Sequence, residues 1–274
     1  MIKSGVNLSG KKLWNTEFKM LSGYIAKRKK TKSPLVMTHV VCGYPSFEEN
    51  LKALEIMQGF NVDIVELQFP FSEPSADGPA FVRANQIAIE QGVSVKDCFE
   101  FMRKVNNQFS FKILMMGYYN TVFKMGEAEF LDRLQQAGGM GFIVPDLPIE
   151  EACTLFEGAR QRSLSPIVLM TPTNDDSRLQ ELAEAADGFV YAVARKGVTG
   201  AATSMSSELI NFLQRCKQYT DLPLAVGFGV SSPADIRFIG DNADIAIIGT
   251  AALRAWEAGK ENALSSFFSN LLGE

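Results

Sequence analysis

The sequence predicts a single (β/α)8 TIM barrel, an α/β fold, preceded by an extra N-terminal helix. Three observations carry that expectation. From Pro34 onward, short runs rich in Val, Ile, Leu and Met alternate with longer helical patterns, as repeated βα units around a parallel sheet require. Eight such runs are present, and eight units close naturally into a barrel that fits a chain of 274 residues as one domain. The first run is not followed by G-x-G-x-x-G, the glycine pattern that would favour the competing open, dinucleotide-binding sheet.

Taken in order, residues 1–11 read as a loose tail and residues 12–274 as the barrel domain, whose first segment, 12–29, is the extra helix. The strands are expected at 35–41, 64–69, 112–117, 141–144, 165–170, 188–192, 223–226 and 245–248. Helices are expected between them at 47–60, 95–107, 126–137, 150–162, 177–186, 205–219 and 233–239, with a last one near 261–272. No break in composition suggests a second domain.

With 46% hydrophobic and 21% charged residues the chain has the make-up of a globular protein with a full core. A formal charge of -4 argues against nucleic acid or an anionic membrane as partner. The basic run Lys27-Arg-Lys-Lys30 with Lys32 reads as a solvated helix end. Cys42, Cys98, Cys153 and Cys216 are widely spaced in apolar contexts and imply neither zinc nor disulfides. No leader pattern or membrane-length apolar segment is seen, so the cytoplasm is the expected location. His39 is the one histidine, which leaves little for a multi-histidine metal site or a Ser-His-Asp triad.

The most informative stretch is Glu66-Leu-Gln-Phe-Pro-Phe-Ser-Glu-Pro-Ser-Ala-Asp77-Gly-Pro79. Strand alternation puts Ile64, Glu66 and Gln68 on one face and Val65, Leu67 and Phe69 on the other. An acid among such neighbours is costly without a job or a partner. Desolvation should raise the pKa of Glu66 toward neutrality, while Asp77 in a Gly-Pro turn should stay ionised, a division suited to paired acid/base chemistry. The residues also allow a plainer arrangement, with Glu66 salt-bridged in the core and Asp77 capping a helix that starts near Pro79.

In a barrel, function gathers at the C-terminal ends of the strands. Met37, His39 and Val41 share one face of strand one; Tyr118-Tyr-Asn120 follows strand three, and Pro145-Asp146-Leu-Pro148 follows strand four. Thr171-Pro-Thr173 follows strand five, and Tyr191 lies near the end of strand six before Arg195-Lys-Gly-Val-Thr199-Gly200. Asn120 and Asp146 could equally be turn or capping residues. Gly200, Gly227-Phe-Gly229 and Gly249-Thr250 suit a phosphate, because glycine lets a backbone N–H approach an anion and a helix start there aims its free N–H groups at it.

The stretch from Glu66 to Pro79 closely resembles the signature of the tryptophan synthase alpha subunit family, E-L-G-[IV]-P-F-S-D-P-x-A-D-G-P. Gly43-Tyr-Pro45, Tyr118-Tyr-Asn120, Val144-Pro-Asp-Leu-Pro148, Arg195 to Gly200, Gly227-Phe-Gly229-Val230 and Ile248-Gly-Thr250-Ala251 extend the resemblance in order along the barrel. It implies a lyase that cleaves indole-3-glycerol phosphate to indole and glyceraldehyde 3-phosphate, without metal, nicotinamide or flavin. Glu66 and Asp77 would be its catalytic carboxylates. His39, Gln68, Tyr118, Tyr191 and Thr199 would line the substrate site, and Gly200, Gly229, Gly249 and Thr250 would hold the phosphate. It further implies a beta subunit in an α2β2 assembly, met through the loop 70–76 and the region of Asn120. The run Phe69-Pro-Phe71 before Pro74 would supply a stiff, partly apolar docking loop.

Four positions depart from the family pattern: His39 stands where phenylalanine is common, Gln68 replaces a glycine, Glu73 an aspartate, and Ser75 a bulkier apolar residue. They keep open a chain that mainly activates a beta subunit, with weak lyase activity, and a stand-alone indole-releasing lyase is a further alternative. For His39 and Gln68 two arrangements are open. Either the imidazole replaces a ring by a ring and bonds a backbone carbonyl, or the two side chains form a compensating pair that reaches each other, Glu66 or the substrate.

Overall fold

The computed structural model describes residues 21–193, 207–227 and 229–273. Within them eight parallel strands form a closed barrel in chain order. They are β1 (Leu35–Val41), β2 (Ile64–Gln68), β3 (Lys112–Met116), β4 (Gly141–Ile143), β5 (Ser165–Met170), β6 (Val190–Val193), β7 (Leu224–Gly227) and β8 (Ile245–Ile248). Closure is made by β1 against β8, with Met37 beside Ile247. The helices are α1 (Leu21–Arg28), α2 (Phe47–Gly59), α3 (Pro79–Glu90), α4 (Val95–Gln108), α5 (Tyr119–Met125), α6 (Glu127–Gln136), α7 (Cys153–Gln161), α8 (Asp176–Ala185), α9 (Ser207–Tyr219), α10 (Pro233–Asn242) and α11 (Thr250–Leu272).

The expected barrel is present, and the differences in its elements have local causes. β6 starts at Val190 rather than at residue 188 because Gly188 takes a left-handed φ of 75°, which no strand residue adopts. β7 starts after Pro223, which has no N–H to give the ladder. The expected series of helices lacked α3, foreseen only as a start near Pro79, and α5, whose seven residues are too few to display an apolar stripe. It also placed the last helix near residue 261, whereas α11 begins at Thr250 and is kinked at Gly259 and Lys260. Of the expected extra helix 12–29, the part from Leu21 is seen as α1; the rest, like the tail, lies outside the described residues.

Strand alternation divides the apolar side chains into two cores. Val36, Val65, Leu67 and Ile113 point outward and pack against the helices. Met37, Ile64, Leu114, Ile143, Ile167, Ala225, Ile245 and Ile247 fill the barrel's inside. Leu21 and Ile25 of α1 are fully buried against this inner core. The extra helix therefore helps cover the inner core on the side where the strands begin.

The basic run is not simply solvated. Arg28 Nε donates to Asp63 Oδ1 at 2.6 Å and Lys32 Nζ lies 2.8 Å from Asp63 Oδ2, while Lys29 pairs with Asp244. Asp63 is fully buried and also accepts from the Val36 N–H at 2.9 Å. These cations thus compensate acids at the starts of β2 and β8. Of the cysteines, Cys42, Cys98 and Cys216 are buried as expected, but Cys153 is exposed at the start of α7. Asp63→Ala would strip an acceptor from two cations and a strand N–H at once. It is expected to lower the unfolding free energy by about 3 kcal/mol, read as a lower urea midpoint.

Candidate active site

The site lies where β1, β2, β3, β6 and β8 end. On β2 the inner face carries Ile64, then Glu66, then Gln68, so the strand passes from apolar to polar as it climbs. Glu66 pairs in register with His39 of β1 and Leu114 of β3, and Gln68 with Val41 and Met116. Glu66 is 3% exposed and Gln68 fully buried. Glu66 Oε2 has no hydrogen-bond partner among the described residues, and Oε1 lies 3.8 Å from His39 Nδ1. Burial raises the Glu66 pKa above the ordinary carboxyl range; the nearby Asp77 charge adds to the rise and His39 opposes it.

The loop after β2 brings Asp77 back over the barrel mouth. Its Oδ2 accepts from Gln68 Nε2 at 2.6 Å and from the Tyr118 hydroxyl at 3.1 Å. Tyr118 in turn accepts from the Ala76 N–H at 3.1 Å, so one buried phenol fixes both ends of the loop's last turn. Burial, then the Asp77 charge, holds the Tyr118 phenol well above its usual pKa. The helix after this loop is capped by Gly78, not by the Asp77 carboxylate, which is engaged by Gln68 and Tyr118.

His39 Nε2 lies 2.8 Å from Gln68 Oε1, the contact expected of a compensating pair. Its ring stacks on Phe81 of α3, with centroids 4.2 Å apart and planes 26° apart. Tyr191 projects from β6 into the same inner layer, where burial and then the Glu66 and Asp77 charges raise its pKa far above the usual phenol value. A Cβ on Gly227 would stand 2.8 Å from the Tyr191 hydroxyl, so glycine is what lets the phenol reach this position. Thr199 and Gly200 lie outside the described residues.

The glycine ends of β7 and β8 follow. Gly229 takes a φ of 88°, a left-handed conformation suited to glycine. Gly249 is the N-cap of α11, no side chain caps that helix, and Thr250 is its first residue. α10 differs: Ser232 and Asp235 close its first turn with a capping box. A Cβ on Gly249 would meet the Phe81 ring at 3.4 Å and His39 Cβ at 3.9 Å, so the start of α11 adjoins the His39 end of the pocket.

Other expected residues have structural work instead. Asp146 Oδ1 accepts from the Tyr119 N–H at 2.8 Å and so caps the start of α5, while Asn120 is exposed on that helix. Phe69 is buried against Phe99, and Phe71 stacks on Tyr118 at 5.0 Å. Phe69 thus belongs to the core between the strands and the helices, while Phe71 is partly buried against the inner core. Two residues went unforeseen. Phe81 supplies the face under His39, and fully buried Asn85 ties the loop to α3, accepting from the Phe71 N–H at 3.0 Å and donating to the Phe81 carbonyl at 2.8 Å. Their signal was the helical spacing of Phe81, Ala84, Asn85 and Ala88 after Pro79, one polar residue on an otherwise apolar face.

A family model described as tryptophan synthase alpha chain matches residues 25–270. The chain belongs to the tryptophan synthase alpha chain family. The reaction of this family is cleavage of indole-3-glycerol phosphate to indole and glyceraldehyde 3-phosphate. A curated alpha chain from Desulforapulum autotrophicum is 44% identical over 252 residues, 92% of this chain and all of that one. Among solved structures, tryptophan synthase from Mycobacterium tuberculosis superposes with a TM-score of 0.84 at 30% identity, covering 92% of this chain and 96% of that one. A tryptophan synthase complex from Pyrococcus furiosus gives a TM-score of 0.81 at 25% identity, covering 89% and 99%.

The raised Glu66 pKa has a sign that can be checked. A folded-state pKa above the unfolded value contributes stability that is complete below the unfolded value, about pH 4, and is lost as the pH rises through the folded one. Glu66→Gln fixes the side chain in its neutral shape. Thermal unfolding should show the variant gaining on the parent protein as the pH rises from about 4 to about 8.

Proposed function

We propose that Glu66 and Asp77 are the catalytic carboxylates of the alpha reaction in this chain. The observation that carries this reading is Glu66 itself, a buried carboxyl with one oxygen unpartnered among the described residues, beside a second acid held in place by Gln68 and Tyr118. A raised pKa lets Glu66 keep its proton to a higher pH than an exposed carboxyl would and return as a base. It gives its proton to indole C3, which makes the ring an electron sink, and helps take the proton from the neighbouring glycerol hydroxyl. The bond between C3 and the glycerol chain then breaks as that hydroxyl becomes the aldehyde. Asp77 has Oδ2 occupied by two donors, and its other oxygen accepts or stabilises the indole N1 proton. Tyr118, Tyr191 and the His39–Gln68 pair shape the pocket for the ring. Gly200, Gly229, Gly249 and Thr250 serve the phosphate, and Thr199 serves the substrate.

Indole release from pure protein and indole-3-glycerol phosphate, followed with and without a beta chain, tests the reading and separates a working lyase from a chain that mainly activates its partner. Glu66→Gln is expected to lower turnover by at least about 10³-fold while a substrate analogue still binds. Asp77→Asn should cost about 10²-fold or more. Turnover within a few-fold of the parent protein in either variant would remove that residue from the scheme.

We further propose that the chain works in the cytoplasm as the partner of a beta subunit in an α2β2 assembly. A structural relative solved as a tryptophan synthase complex supports the partnership. So does Phe123, 69% exposed on α5 beside Asn120, an apolar ring that the fold leaves outside its core. Sedimentation of the mixed subunits should show a heterotetramer, and Phe123→Ser should weaken it about tenfold or more. Separate sedimentation of the two chains, even with a substrate analogue present, would overturn the assignment.

A further inference from the structure

Three side chains link the two acids, and their donor and acceptor roles can be read in sequence. Asp77 Oδ2 receives the Tyr118 hydroxyl and the Gln68 amide together. An ionised carboxylate oxygen only accepts, so the Gln68 nitrogen must face Asp77 and its carbonyl must face His39. That carbonyl also only accepts, so His39 Nε2, 2.8 Å away, must carry a hydrogen. A half-turn of the ring would keep its stack on Phe81 but set a carbon against the Gln68 carbonyl, so Nδ1 remains the nitrogen that faces Glu66, 3.8 Å from Oε1.

Among the described residues nothing else around the two acids would do this work. Facing His39 are Glu66 from β2, Asp77 from the following loop, the neutral Phe81 of α3 and the backbone of Gly249 after β8. Tyr191 of β6 and Tyr118 after β3 face the two acids and are held neutral by burial. Among these residues the imidazole is the single group able to carry positive charge.

We propose that His39 is a positioning residue of the lyase, locked as the Nε2–H form by a Gln68 bridge anchored on Asp77, and that its Nδ1 sets the charge that Glu66 meets. The relay lets the state of one catalytic acid reach the other without direct contact. This deepens the lyase reading and rests on it.

His39 is the one histidine of the chain, so ring-labelled [15N]histidine gives a single set of signals without assignment. The expected spectrum shows the hydrogen on Nε2, the nitrogen that faces the Gln68 carbonyl. Gln68→Leu should release the ring into a mixture of forms. In parallel, the pH profile of indole release is measured for His39→Phe and His39→Gln. The glutamine variant keeps a donor toward Gln68 but has no atom that can take up a proton. Both should move the basic limb of the profile, where Glu66 loses the proton it gives to C3, to higher pH, because Glu66 loses a group that favours its carboxylate. Both should lower kcat by about tenfold or more, with KM changed by less than about threefold. Basic limbs that coincide with that of the parent protein would overturn the proposal, as would a parent spectrum with mixed ring forms. If the parent protein releases no indole, the lyase reading falls, and the ring spectrum with its response to Gln68→Leu decides the relay alone.

Discussion

A carboxyl on the inner face of a closed barrel has aliphatic side chains beneath it and no bulk water beside it. Every feature of the mouth is arranged around that constraint at Glu66. Below it lies Ile64, and its neighbour in register on β3 is Leu114. An uncompensated charge there costs several kcal/mol, more than one ordinary hydrogen bond returns. The side chain is therefore poised between a neutral form that suits its surroundings and an anionic form that only polar neighbours can sustain. The neighbour that favours the anion is His39, brought in by β1, while Asp77, held by Tyr118 after β2, adds its own charge to the penalty.

The two ends of the barrel show that burial alone does not make an acid catalytic. Asp63 at the start of β2 is as deeply buried as Glu66, yet it receives Arg28, Lys32 and a backbone N–H. Asp244 likewise takes Lys29 and the Leu224 N–H. Their bonds leave no capacity for chemistry, and they hold α1, β1, β2, β7 and β8 together. Glu66 is short of donors by comparison, with one oxygen unpartnered among the described residues. The same strand thus begins with an acid whose needs are met and carries, three residues on, one whose needs are not. That difference separates stability from function more clearly than exposure does.

Much of this was legible from residue order. Period-two alternation in residues 64–69 put Glu66 and Gln68 on one face, and the barrel geometry turned that face inward. Eight apolar runs were enough for the closed sheet. What sequence could not show was the destination of side chains whose partners lie far along the chain. Phe71 belongs to an apolar loop in sequence, but its ring stacks on Tyr118, which lies far along the chain after β3. The basic run Lys27 to Lys32 resembled a solvated helix end because the acids it serves, Asp63 and Asp244, lie in other segments. Phe81 and Asn85 were hidden for the opposite reason. Their periodic pattern spoke for packing on α3, and only the folded loop shows that α3 also supports His39.

The two departures at the indole end, His39 and Gln68, are best understood as one feature. A glutamine where the family signature has glycine brings two polar groups into a place with no solvent exposure. Its amide N–H finds Asp77, but its carbonyl needs a donor from the β1 side. Phenylalanine at position 39 would offer none and would leave that carbonyl buried and unpaired, at a cost of about 1–3 kcal/mol. Histidine keeps the flat ring against Phe81 and supplies the missing N–H. The reverse pairing is also poor, since histidine opposite glycine would leave Nε2 without the bridge to Asp77. Glycine with phenylalanine and glutamine with histidine are therefore the two self-consistent combinations, and the mixed ones each strand a polar group. The second combination does more than repair packing. It places a titratable nitrogen beside Glu66 and joins that nitrogen to Asp77, which the first cannot do.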